Sequence, residues 1–145
     1  MLYLIQDNSD KYLNFISHDP VRPAIPVLQR IGSNKDIFVL RDTDDSVSAV
    51  TCVSYQEAVP TAEAELFNEG AQPKVAVFYT IWSYKPGAGR QLILDTVNYI
   101  KENNSSIERF VTLSPKTDMA RRFHLKNGAI VLKENTETVN YEYCR

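Results

Sequence analysis

"KVAVFYTIWSYKPGAGRQLILDTVNYIKENN", residues 74–104, decides the fold. Its first ten residues, 74–83, are β-branched or aromatic almost throughout. A run of that length and composition suits a central strand buried on both faces. From residue 90 the period changes. Ile93, Val97 and Ile100 recur at helical spacing with Leu92 and Thr96 beside them, so an amphipathic helix follows. Between strand and helix stands Pro86-Gly87-Ala88-Gly89, which is either a plain turn or a loop shaped to hold an anion.

Downstream, "IERFVTLS" (107–114) alternates Phe110, Thr112 and Ser114 against Val111 and Leu113 and predicts another strand. "PKTDMARRFHLKNG" (115–128) predicts a helix that begins at Pro115 or Lys116 and stops at a left-handed Gly128. "AIVLKENTETVNYEYC" (129–144) closes as a hairpin tipped by "NTET". Upstream, "LYLIQ" (2–6) reads as a first strand, and Ser9 or Asp10 caps a short helix carrying Tyr12, Leu13, Phe15 and Ile16. A second short helix is expected from Pro23 to Arg30, stopped by Gly32. Residues 36–42 and 46–55 read as a hairpin around "TDDS", whose Asp42, Asp44 and Asp45 suit a turn. The fold expected is α/β, with one mixed, mostly antiparallel sheet of about six to seven strands flanked by about four helices. It fills a single domain, 1–145, with an insertion at 56–73. That insertion carries Glu57, Glu63, Glu65 and Glu69 and no base, and reads as a solvated segment or as a flap drawing in a cationic substrate.

The chain's 145 residues suit one core, and 43% hydrophobic with 23% charged residues is an ordinary globular balance. A net charge of −2 gives no footing for nucleic acid or an anionic membrane. Cys52 and Cys144 form neither a disulfide framework nor a zinc spacing, so a reducing cytoplasm and no metal are expected. No apolar stretch reaches the length of a membrane span, and no basic leader precedes the first apolar residues.

Three chemistries use such glycine loops. A P-loop needs four residues between its glycines and then Gly-Lys-Ser/Thr, which Gly87-Ala88-Gly89-Arg90 does not supply. A dinucleotide fingerprint needs a third glycine where Leu92 stands. The third is a loop whose amides, with the helix N-terminus behind them, surround a pyrophosphate. Gly87 and Gly89 let the backbone approach, and Arg90 adds charge at the rim.

"SYKPGAGRQLI" resembles motif A of the GNAT (GCN5-related N-acetyltransferase) superfamily, Q/R-x-x-G-x-G/A, aligned as Tyr84 to Gly89. "TDMARRFHLKNGA" resembles its motif B at Thr117, Ala120, Phe123, His124, Gly128 and Ala129. The resemblance runs over residues 74–132, with the motif A-like part at 74–103 and the motif B-like part at 107–132. It implies an acyl-CoA co-substrate, acetyl-CoA first, whose acyl group passes to a small-molecule or peptide amine by direct attack. The pantetheine arm would pair with Tyr79, Thr80 and Ile81. The pyrophosphate would sit on Gly87, Ala88, Gly89 and Arg90, with Lys85 and Thr117 also in the cofactor site. His124 occupies the motif B tyrosine position and would protonate the leaving thiolate as an imidazolium, with Tyr79 and Thr117 as weaker alternatives. Four departures stand out: Tyr84 for Gln or Arg, Pro86 without an N–H, Thr117 for Asn, and His124 for Tyr. Strand 74–83 also lacks a carboxylate base. These departures suit the alternative of a non-catalytic CoA-binding or protein-interaction module. Lys116, Arg121, Arg122 and Lys126 read as a solvated helix face. The alternating Val139, Tyr141 and Tyr143 read as a strand free to pair with a second copy in a homodimer.

Overall fold

The computed structural model describes residues 1–143; Cys144, counted above with Cys52, lies outside the described residues. Eight strands form: β1 (Leu2–Leu4), β2 (Lys35–Arg41), β3 (Val47–Gln56), β4 (Val75–Ser83), β5 (Arg109–Thr112), β6 (Ser114–Pro115), β7 (Ile130–Glu134) and β8 (Thr138–Tyr143). Two α-helices, α1 (Ala88–Asn103) and α2 (Asp118–Lys126), follow β4 and β6. All strands join one sheet of order β1-β2-β3-β4-β5-β8-β6, with β7 paired to β8. Only β4 and β5 run parallel, because α1 is the crossover between them. The sheet is thus mixed and mostly antiparallel as expected, with one strand more than the upper expectation.

The four expected helices become two α-helices and three 3-10 segments, Lys11–His18, Val27–Gln29 and Glu63–Phe67. Asp10 does cap the first of these, its carboxylate accepting from the Tyr12 N–H at 2.9 Å. The helix expected over Pro23–Arg30 shrinks to three residues. Pro23 and Pro26 carry no N–H, and the Arg30 side chain turns inward, where it is wholly buried.

Apolar clusters cover both faces of the sheet. Leu92, Ile93, Val97 and Ile100 of α1 pack with Phe38, Phe78 and Phe110 on one face. Tyr12, Ile16 and Leu66 of the 3-10 segments pack with Val77, Tyr79 and Val111 on the other. β4 is buried throughout Val75–Thr80, as its composition requires. β8 is no free edge: it pairs with β5, β6 and β7, and Val139, Tyr141 and Tyr143 are buried. The strand expected to meet a second copy is therefore spent inside the sheet.

Two irregularities prepare the site. The strand expected over 107–114 breaks at Leu113, and its second piece pairs with β8 alone. On the other flank of β4 the register slips between Cys52↔Thr80 and Val53↔Phe78, leaving Tyr79 as an extra, bulged residue. The β4–β5 ladder ends at Phe78↔Thr112, so β4 runs on to Ser83 with its second edge open.

Candidate functional site

Where the two strands part, a groove of about 280 Å³ opens. Tyr79 to Ser83 form one wall; Leu113 to Pro115 and α2, through Ala120, Phe123 and His124, form the other. On β4 the Thr80 carbonyl accepts from Thr51 Oγ1 at 2.8 Å and the Tyr84 N–H bonds to Ser48 O at 2.7 Å, both on the β3 side. Alternation then turns the peptide groups of Ile81 and Ser83 toward the gap. The groove continues into a hollow of about 460 Å³, which shares Ser83, Gly89 and Phe123 with it. Lys85, Arg90 and Lys126 line that hollow, and among the described residues no carboxylate does.

At this outer end the two glycines do different work. Gly87 sits at φ 78° with open space around a hypothetical Cβ, so it is needed for its left-handed backbone. A Cβ on Gly89 would lie 3.0 Å from the Phe123 ring, so it is needed for close packing of α1 against α2. The Ala88 N–H is spent inside the turn on Lys85 O at 3.2 Å. Within the first turn of α1 this leaves the N–H groups of Gly89 and Arg90 to face an anion. The Lys85 ammonium pairs with Asp42, and Arg90 Nη1 lies 3.4 Å from Asn127 Oδ1. Tyr84 OH accepts from Trp82 Nε1 at 3.0 Å and meets His18 Nδ1 at 3.0 Å, with the Phe15 ring against it. The loop is thereby tied to the first 3-10 segment.

The inner end is built from buried side chains. His124 is 3% exposed; Nδ1 is 2.7 Å from Tyr143 OH and Nε2 is 3.2 Å from Ser114 Oγ. Its ring stacks on Tyr141 at 5.0 Å. Burial pulls its pKa down to about 4, so the resting group at neutral pH is an imidazole. Ser114 Oγ donates to Thr112 Oγ1 at 2.8 Å, and the tautomer with its proton on Nε2 then gives both ring nitrogens and the Ser114 hydroxyl a partner. Opposite, Asp19 and Arg30 form a wholly buried pair at 2.7 Å. Burial alone would raise the Asp19 pKa. The N–H groups of Arg22 and Val21, with Arg30 and Thr80 Oγ1, outweigh it and hold the carboxylate below its usual range. Arg22 spans the gap itself: Nε donates to Tyr79 O and Nη2 to Leu113 O, each at 2.8 Å. Its Nη1 meets Glu63 at 2.8 Å.

No family profile matches the chain, and no curated protein matches its sequence. Solved structures do match. A malonyl-CoA decarboxylase from Cupriavidus metallidurans superposes with a TM-score of 0.75 at 15% identity, over 99% of this chain and 60% of that one. GCN5 from Tetrahymena superposes with a TM-score of 0.67 at 12% identity, over 99% of this chain and 94% of that one. The fold is GNAT-like. PaiA N-acetyltransferase from Thermoplasma acidophilum, solved with coenzyme A, shares the GNAT-like core at a TM-score of 0.56 and 11% identity, over 77% of this chain and 62% of that one. The chain spans 60% or less of the length of the malonyl-CoA decarboxylases it matches.

Within this GNAT-like frame the residues singled out from sequence do converge. Tyr79, Thr80, Ile81, Gly89, Thr117 and His124 line the groove, and Lys85, Gly87 and Arg90 line the hollow. Four of the assigned roles change. His124 is no imidazolium, for want of solvent around it. Ala88 is turned into the core and its amide is occupied. Thr117 caps α2, its Oγ1 accepting from the Ala120 N–H at 3.2 Å. The Tyr79 phenol lies in the opposite apolar cluster with no hydrogen-bond partner among the described residues, and burial holds it protonated. The insertion is no free flap. Leu66 is buried, Leu66 O accepts from Ser54 and Gln56, and Thr138 and Asn140 hold the carbonyls of Thr61 and Pro60. Sequence reasoning missed Ser114, Tyr143, Asp19, Arg22 and Arg30. Nothing in their local spacing signals that distant segments will bring them together.

Proposed function

We propose that this chain binds an acyl-CoA, acetyl-CoA being the expected one, and passes its acyl group to an amine by direct attack. The observation that carries the proposal is one continuous channel: an apolar groove along the open edge of β4 that runs into a cationic hollow at the N-terminus of α1. The amides of a pantetheine arm suit the peptide groups of Ile81 and Ser83, as an added strand would. The diphosphate suits the Gly89 and Arg90 N–H groups, with the charges of Lys85, Arg90 and Lys126 around them. The GNAT-like fold, and the coenzyme A held by PaiA, support the same reading. The His124 Nε2–H, exchanged from Ser114 Oγ, would hold the leaving sulfur, which departs as the free thiol carrying the proton that the attacking nitrogen gives up.

Decarboxylation of malonyl-CoA is a second reading, favoured by the state of the inner end. Among the described residues the one imidazole lining the groove is neutral, and no carboxylate lines it to deprotonate an amine. Loss of CO₂ leaves an enolate, which is far more basic than a thiolate and takes a proton from a neutral N–H donor that recovers it from water. That reaction requires no acceptor amine and no base.

Thermal stability with acetyl-CoA, dephospho-CoA and ATP tests the site, since a ligand of the native state raises its melting temperature. Acetyl-CoA is expected to stabilise the protein, and no shift with any CoA ester at saturation overturns both readings. Incubation with malonyl-CoA alone, followed by product analysis, separates them. Acetyl-CoA appearing without an amine selects decarboxylation; free thiol released only when an amine is present selects transfer. Binding without either turnover identifies a CoA-binding module.

A further inference from the structure

We propose that Arg22 is a receptor for a carboxylate of the substrate at the acyl end of the groove, with Glu63 occupying that receptor in the free protein. The inference rests on the acyl-CoA reading and extends it to a substrate class. With diphosphate at the α1 end, the thioester lies toward Tyr79 and Leu113, where the strands converge. Arg22 binds the carbonyls of those same two residues. Those two bonds fix the plane of the guanidinium. Its backbone is fixed as well, by Asp19 on its N–H at 3.0 Å and by Arg30 Nη2 on its carbonyl at 2.7 Å. A guanidinium has five N–H donors, and the three bonds made here leave donors on Nη1 and Nη2 for a further anion.

The two arginine–carboxylate pairs at this end differ in a way that points to exchange. Arg30 and Asp19 are both fully buried, a closed pair. Arg22 is 9% exposed, but its partner Glu63 is 46% exposed and belongs to the pinned insertion. An exposed carboxylate gains little from such a pair, so a substrate carboxylate already held by its CoA moiety can displace it. Arg22 does not line the groove itself; it lines the outer hollow of about 920 Å³ beyond Pro115, beside Lys133 and the carboxylates Glu63, Glu134 and Glu137. The carboxylate therefore has two sources: the far end of a dicarboxylic acyl-CoA, or an amino-acid acceptor entering from the outer hollow. A guanidinium stabilises the charged carboxylate more than the neutral CO₂ it would become, so the contact selects the substrate and does not itself promote loss of CO₂.

The test measures dissociation constants for succinyl-CoA against acetyl-CoA, and for β-alanine against propylamine with CoA bound, on wild type, Arg22→Gln and Glu63→Gln. In one of the two arms the carboxylate-bearing ligand is expected to bind about tenfold tighter. That ratio falls toward unity in Arg22→Gln and rises in Glu63→Gln, and the arm that responds identifies the source. If Arg22→Gln does not fold, Glu63→Gln decides alone, because its half-exposed side chain carries no core packing. Equal binding within both pairs, unchanged in the variants, overturns the role of Arg22 and leaves the acyl-CoA site standing. Failure of every CoA ester to bind overturns that site and this inference together.

Discussion

At the outer end of the groove the working groups are backbone amides and exposed cations from one continuous stretch, Lys85 to Arg90. At the inner end they are buried side chains drawn from segments far apart in the chain: Asp19, Arg30, Thr80, Ser114, His124 and Tyr143. The cations and Gly87 of the outer end can be altered with modest loss of stability, because they face water whether or not a ligand is present; Ala88 and Gly89 are packed. The inner end is part of the core, and each of its polar groups depends on a partner that no local segment supplies.

The largest expected effect is at the inner end. Asp19→Ala leaves the Arg30 guanidinium buried without its counter-charge and should cost about 3–5 kcal/mol, read as a shift in the denaturant midpoint. Next comes pH. His124 has a pKa of about 4 in the folded chain against 6.5 for a free imidazole, so the unfolded chain binds the extra proton first. Its contribution, about 3 kcal/mol, is complete above the unfolded value and is lost as pH falls toward the folded one. Melting temperature should therefore drop between those two values in wild type and much less in His124→Gln.

The outer end should respond less. Gly87→Ala places a Cβ in a left-handed conformation and should cost about 1–2 kcal/mol, with no clash to add to it. Arg90→Gln should leave stability within about 0.5 kcal/mol. It should weaken acetyl-CoA by about two- to fivefold at low salt, and by less as ionic strength rises. Titration calorimetry at two salt concentrations checks this. A loss of stability in Gly87→Ala or Arg90→Gln as large as that in Asp19→Ala would break the contrast between the two ends.

The same division explains what could be read in advance. β4, α1, the glycine turn between them and the left-handed stop at Gly128 follow from short-range rules of composition and period, and the structure contains all of them. The first third of the chain was less legible. There Asp10 caps a 3-10 turn and not an α-helix, and the two prolines leave only Val27–Gln29 wound. The Glu-rich insertion reads as solvated because Glu57, Glu63 and Glu69 face water, while its buried groups, Pro60, Leu66 and the carbonyls of Pro60, Thr61 and Leu66, meet partners from β3 and β8.

The sequence by itself determined the order of elements, the strand that would be central, and the glycine turn between it and the helix, because periodicity and glycine conformation act over a few neighbouring residues. Only the tertiary structure decided that β4 would bulge at Tyr79, that Leu113 would leave the ladder and open the gap, and that Arg22 would span it. It also decided that His124 would be neutral. Desolvation is set by whatever the rest of the chain packs around a group, and here that packing comes from β6 and β8.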